Sequence, residues 1–425
     1  MPNLVEIVVR AKDDTKAGFA AAGASADSMN AKLQKIGMIG AAGLGAVAVA
    51  SVAMAAKFDS SMELIHTQAG VAQSQIAGLK QGVLDLAGQV GFSPGNLSDA
   101  LFHIESSFAS IGIKGPQAMS LLKIAAEGAA VGNSNLVDTT NALDATIASG
   151  ISGVKSFSGA MGALNAIVGS GDMHMQDLNE AMGTGIMAIA KSYGQSIIQV
   201  GAALATLGDN NIRGAKAATD LRMAWQAIQS PMKAGVGILK DLGINSQQLA
   251  QVMTHQGLTA ALQEFVDHLK AAKIPISDWG EYVTKIFGKK AGVGIAVLVD
   301  QLDRVKSKIP DITSAMGNFG DAWTKTQQTA TQQFKELEAS VQSLAIQLGE
   351  KLLPYATKLM DFLLAHKTVA VDVSLGIGAL TAALAAYAIG AKIALVVTTL
   401  MEAPWILIGV AIIALAVLII KYHKQ

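Results

Sequence analysis

The sequence contains no cysteine, which excludes disulfide scaffolds, thiolate zinc sites and cysteine nucleophiles together. Aromatic residues are scarce, at 5% of 425, so the 51% hydrophobic content is carried by Ala, Val, Ile, Leu and Met. Sandwich cores draw on aromatic and β-branched side chains, whereas Ala, Leu, Met and Gln favour helix. The expected fold class is therefore mostly α. Charged residues are also few, at 15%, well below the roughly 25% of ordinary soluble domains. The 32 basic side chains are matched by 32 acidic ones, and without a basic excess a sequence-specific nucleic-acid surface is not expected.

Catalytic signatures are missing as well. There is no G-x-S-x-G elbow, and "SGISG" has the wrong spacing. None of the seven histidines (His66, His103, His174, His255, His268, His366, His423) forms an H-E-x-x-H or close H-x-H pair. Asp172, His174, Asp177 and Glu180 in "GDMHMQDLNE" have ligand chemistry, but such a stretch reads more simply as a polar helix start. Gly43, Gly45 and Ala48 match G-x-G-x-x-A, yet the preceding residues look helical and no βαβ unit follows. "FGKKAGVG" (287–294) lacks phosphate-loop spacing and reads as a helix boundary. Asp13-Asp14 sit beside a turn, with capping as their simplest role. No catalytic residue, cofactor or metal is expected.

What is present is helix, punctuation and apolar length. "LVEIVVRA" (4–11) reads as a short strand. Ile36–Ala56 is an uncharged run of 21 residues, long enough to span a bilayer, with Gly37, Ala41 and Gly45 forming a small-residue stripe. From Phe58 to about Asp300 the pattern is that of a compact multi-helix domain. Ser93-Pro94 marks N-cap and N1 of a helix over roughly 94–109, and Ser134 and Ser277 are candidate caps. Gly112-Ile113, Gly150-Ile151 and Gly243-Ile244 repeat one helix-end form, a left-handed Gly followed by an Ile that folds back.

Over 301–366 the punctuation fades. Phe334, Leu337, Val341, Leu344 and Leu348 step by 3, 4, 3 and 4, the a/d pattern of an amphipathic helix or short coiled coil. Pro354 is expected to interrupt it before "YATKLMDFLLAHK" resumes. Residues 367–425 hold two further uncharged runs, 373–391 and 403–420, with Trp405 and Tyr422 at interfacial positions. They read as a membrane-compatible apolar hairpin. The organisation expected is thus 1–57, strand plus apolar helix; 58–300, helical core domain; 301–366, amphipathic helix; and 367–425, apolar helices.

"NNIRGAKAATDLRMAWQAIQSP" places Arg213, Lys216 and Arg222 close together. Asp220 lies four residues after Lys216, an i,i+4 partner, so the simplest reading is the wet face of a helix that stops at Pro231. The same stretch carries a family likeness. "AATDLRMAWQAIQSP", "AGVGILKDLGI" and "KIFGKKAGVGIAVLVDQL" resemble, in order and spacing, the core region of tail tape measure proteins of long-tailed phages. Thr219, Leu221, Arg222, Pro231, Leu242, Gly243, Ile244, Phe287 and Gly288 match, while Ala218 stands where the family usually has Gly. The likeness covers roughly residues 1–365, most specifically 200–300.

The resemblance implies a non-enzymatic virion protein that lies in the tail tube lumen, sets tube length during assembly and leaves ahead of the DNA. Its implied partners are the tail tube protein, tail assembly chaperones, tail tip or baseplate proteins and further copies of itself. Its apolar segments would help the genome cross the host membrane. A fully helical chain of this length would span about 640 Å, short for a whole ruler of this family, so the sequence reads as a truncated, split or prophage-borne version. A membrane pore-former or toxin built on 373–420 is the reading from a different class.

Overall fold

The protein is described by a computed structural model covering residues 43–109 and 112–365. Among the described residues there are eighteen α-helices and no strand; a single β-bridge joins Ser152 and Ser196. In order they are α1 (Gly43–Thr67), α2 (Gln73–Val90), α3 (Pro94–Phe108), α4 (Pro116–Val131), α5 (Leu136–Ser149) and α6 (Phe157–Ser170). Then follow α7 (Met175–Gly183), α8 (Ile186–Ser192), α9 (Ile197–Asp209), α10 (Gly214–Gln229), α11 (Lys233–Asp241) and α12 (Ser246–Gln256). The last are α13 (Leu258–Ala271), α14 (Ile276–Phe287), α15 (Lys289–Asp300), α16 (Leu302–Ala315), α17 (Phe319–Gln327) and α18 (Ala330–Ala365). Phe58–Ser343 form one compact unit; residues 43–57 and 344–365 belong to a second.

The core of the larger unit forms around α9. Its sequence, "IIQVGAALATLGD", is apolar on every side, and every residue from Val200 to Gly208 is buried, as a helix without a polar face must be. Helices α6, α10 and α16 pack around it. Helix starts follow the sequence closely. The Ser93 hydroxyl accepts the Asn96 N–H at 3.1 Å and caps α3, with Pro94 in the first turn. Two expected caps lie elsewhere: Asn135 rather than Ser134 caps α5, and Ser277 falls inside the first turn of α14. The Ser134 hydroxyl is drawn instead to the Thr139 hydroxyl, 2.8 Å away.

All three Gly-Ile helix ends adopt the left-handed turn, with φ of 82°, 62° and 76° at Gly112, Gly150 and Gly243. After Gly112 and Gly243 the isoleucine N–H returns to the carbonyl five residues back, Ile113 to Phe108 and Ile244 to Leu239. Three further ends use the same closure without glycine, one of them at Asn133 (φ 44°), where the Ser134 N–H returns to the Ala129 carbonyl. Asn211 (φ 61°) precedes Ile212 and Lys273 (φ 55°) precedes Ile274, and each isoleucine bonds back five residues.

Several expectations differ from the structure. The part of 36–56 that is described, from Gly43, is the first half of α1, which runs on through Lys57, Asp59 and Glu63 and buries Phe58, Met62 and Ile65. No described helix is long and apolar enough to cross a membrane; the Gly and Ala of this run dilute its hydrophobicity. The strand at 4–11, the spans 373–391 and 403–420, and His366 and His423 lie outside the described residues. Pro354 does not interrupt α18 but sits within it. It lies on an exposed part of the helix, where water can serve the carbonyl that loses its N–H partner.

The heptad stripe of the amphipathic helix faces outward. Phe334, Leu337, Val341, Leu344 and Leu348 are between 43% and 61% exposed. Helix α18 turns the opposite, small and polar face inward. The Gln332 amide donates to the Val90 carbonyl at 2.8 Å and the Ser343 hydroxyl to that of Leu84 at 2.9 Å, with Ala339 buried between them. In the smaller unit Gly349 brings the same face of α18 against the Ser51 carbonyl and the Ala55 methyl.

Candidate functional site

The region that carries the family likeness is built from α10, α14 and α15. Ala217, Ala218, Leu221, Ala224, Trp225 and Ile228 recur at helical spacing and are buried, so α10 is a core helix with one wet side. On that side the three basic residues do not converge on a shared surface. Arg213 precedes the helix and pairs with Asp172. Lys216 pairs with Asp220 at 2.7 Å across one turn. Arg222 is half-buried and makes no ion pair with another described residue. The Thr219 hydroxyl donates to the Ala215 carbonyl within the helix, and α10 ends at Gln229, two residues before Pro231.

Phe287 and Gly288 form the junction between α14 and α15. The Phe287 ring meets Phe265 edge-to-face, with centroids 5.5 Å apart. Gly288 adopts φ 84°, ends α14 through its N–H to the Thr284 carbonyl and opens α15 by accepting from Gly292. The glycines that gave "FGKKAGVG" its phosphate-loop look serve packing. Gly294 lets α15 lie directly on α10, where an added Cβ would stand 2.8 Å from that of Asp220. Residues far apart in sequence thus share one helical layer, with Gly243 closing the intervening helix α11 and its turn against the His268 ring.

Where α10 ends beside this junction there is an open cleft of about 450 Å³, lined by Met223, Gln226, Met232, Phe287, Gly288 and Lys289. Ser230 also lines it, and Lys289 is the one charged side chain of the lining. A second cleft, of about 500 Å³, lies over Asn165 and Ser170 beside Arg304 and Lys308.

Next to the second cleft is a charge network that the sequence did not reveal. Asp209, at the end of α9, receives Lys308 at 3.0 Å, Arg304 at 3.4 Å and the Asp172 N–H at 2.9 Å. Lys308 also donates to the Ser170 carbonyl. Burial alone would raise the Asp209 carboxyl; the Lys308 hydrogen bond, the Asp172 N–H and the two cations outweigh it and hold it below its ordinary value. No short-range spacing links these groups, so only the tertiary fold could show them. The acids once considered as metal ligands are committed elsewhere. Asp172 holds Arg213, Asp177 accepts the His174 N–H at 2.7 Å and Glu180 accepts from Gln176. No group of three ligand residues is assembled among the described residues.

Two buried carboxylates complete the inventory. Asp144 on α5 is 6% exposed. Burial pushes its carboxyl up to about 7 against a weak opposing pull from the Ser107 hydroxyl; by distance and angle neither oxygen completes a hydrogen bond. Glu105 on α3 is fully buried and raised by the same cause, although its Oε1 accepts the Gly115 N–H at 2.7 Å. Neither lines either cleft.

The marked residues of this helical protein build packing between helices. Residues 80–288 match the family described as phage-related minor tail protein. The chain is also similar to a tape measure protein of Pneumococcus phage Dp-1, 23% identical over 328 residues, covering 74% of this chain and 26% of the relative. No solved structure matches. Both matches support the resemblance to phage tail tape measure proteins seen in the motifs. The chain spans about a quarter of the length of the relative it matches.

Proposed function

We propose that the chain is a structural, non-enzymatic component of a phage tail that occupies the tube lumen and sets tube length during assembly. The observation that carries this is the match over residues 80–288. The helices built by Leu221, Gly243, Phe287 and Gly288 lie inside that match. The tail tube protein, assembly chaperones and tip or baseplate proteins are the partners this role requires. The apolar stretches at 36–56, 373–391 and 403–420 are assigned to genome passage through the host membrane. A free-standing pore-former gains no specific observation and is set aside.

A ruler makes a quantitative demand. An in-frame deletion within the helical region should shorten the tail by about 1.5 Å per residue removed, measured on negatively stained particles. Tails of unchanged length would overturn the proposal. Release of dye from liposomes by the full chain tests the passage role separately, and intact vesicles would remove that part alone.

A further inference from the structure

Exposed apolar side chains gather at the cleft beside the end of α10. Met223 and Met232 line it, and Met232 is 55% exposed. Val236, one turn on from Met232 in α11, and Val293, one turn on from Lys289 in α15, are exposed as well. Methionines at a surface adapt to an incoming side chain, because the unbranched thioether repacks easily. The cations here are placed against local stability. Lys233 and Lys289 occupy the first helical positions of α11 and α15, where the positive end of the helix dipole disfavours a cation. Neither helix has an acid in its first turn or a side-chain cap. We propose that this cleft is a docking site for an acidic amphipathic helix of a partner protein.

Charge and backbone select that occupant. No acidic side chain lines the cleft, and the acid of α10, Asp220, is held by Lys216. Lys233, Lys289 and Arg222, which sits one turn before Gln226 on α10, form no ion pair among the described residues. The carboxyl end of α10 opposes one of the two helix starts, not both. A local positive excess thus stands on a chain that is neutral as a whole, and an acidic partner complements it. An extended partner needs a sheet edge, and among the described residues there is no strand. A helix brings its own hydrogen bonds and lays an apolar stripe into a groove. From Arg222 to Ser230 the wall formed by α10 is about 12 Å long, roughly two turns. That length seats two apolar side chains four residues apart, and acids beside the pair complement the three cations. The inference stands apart from the ruler reading, because the cleft takes such a helix whatever sets the tube length.

The test uses the full chain and a fluorescent helical peptide of about 15 residues, with two leucines four apart flanked by glutamates. Anisotropy should give a dissociation constant of about 100 µM or tighter, and a scrambled peptide of the same composition should bind at least about tenfold more weakly. With isotope-labelled methionine methyls, the Met223 and Met232 signals should move on binding while that of the buried Met161 stays. Lys289→Glu should weaken binding about tenfold. Because an acid suits the first turn of α15, the same change should raise Tm by about 1 °C, which a lysine kept for the fold would not do. Met232→Glu, at an exposed position, should weaken binding to a similar extent. Weaker binding of the designed peptide, equal binding of the scrambled one, unmoved Met223 and Met232 signals, or substituted chains that bind as the parent does would each overturn the proposal. So would phosphatidylglycerol vesicles that displace the peptide from the parent chain, which would give the cleft to lipid.

Discussion

Two aspartates respond to their surroundings in opposite directions. Asp144 is buried without a cation and its carboxyl is raised to about 7. Its contribution to stability is therefore full in acid and is lost as the pH rises from about 4 through about 7. Asp144→Asn removes the charge and should raise Tm by roughly 5 °C at pH 8 while leaving it nearly unchanged at pH 4. A parallel shift at both pH values would show that the charge is not the cause. Asp209 is held below its ordinary value by Lys308, Asp172 and Arg304 despite burial. Its contribution is present at neutral pH and disappears as acid protonates it. Asp209→Asn leaves Lys308, only 10% exposed, without its counter-ion and should cost about 3 kcal/mol in urea unfolding at pH 7. None of this was legible in the sequence, because Asp209 and Lys308 are joined only by the packing of α9 on α16.

Helix ends were the most legible features among the elements, since a cap is a local event. Ser93-Pro94 and the three Gly-Ile pairs could be read directly, whereas Asn211-Ile212 and Lys273-Ile274 hid the same turn behind residues that seldom adopt it. Gly243→Ala should cost about 1 kcal/mol, and Lys273→Gly should cost nothing or stabilise slightly, with urea midpoints moving in opposite directions. The α10–α15 crossing is a sharper case. Gly294→Ala places a methyl 2.8 Å from the Asp220 Cβ, and the resulting overpacking should cost about 2 kcal/mol. A neutral effect would mean that the two helices separate easily. The heptad on α18 was read correctly as a pattern, but a pattern does not say which side the rest of the chain will cover. Gln332 and Ser343 decided that through hydrogen bonds to carbonyls of α2.

For the whole molecule, composition alone pointed to a helical protein, because scarce aromatics and abundant Ala, Leu and Met disfavour a sheet core. The family markers were legible for a related reason. Leu221, Phe287 and Gly288 each occupy a position where packing or backbone geometry narrows the choice of residue. The clefts were not legible, since Met223 and Lys289 become neighbours only when α14 and α15 return to the end of α10.

The inward face of α18 bears on how the molecule could lengthen. A helix held by leucines resists removal in water, because each exposed methylene costs about 0.8 kcal/mol. Between Ala330 and Ser343, α18 is held chiefly by an amide, a hydroxyl and an alanine methyl, groups that water or a small rearrangement can replace. Local opening is cheapest where little apolar surface is uncovered, so these amides should exchange with deuterium well before those of the sealed α9. Unfastening would then begin at this strap and leave the rest of the larger unit closed.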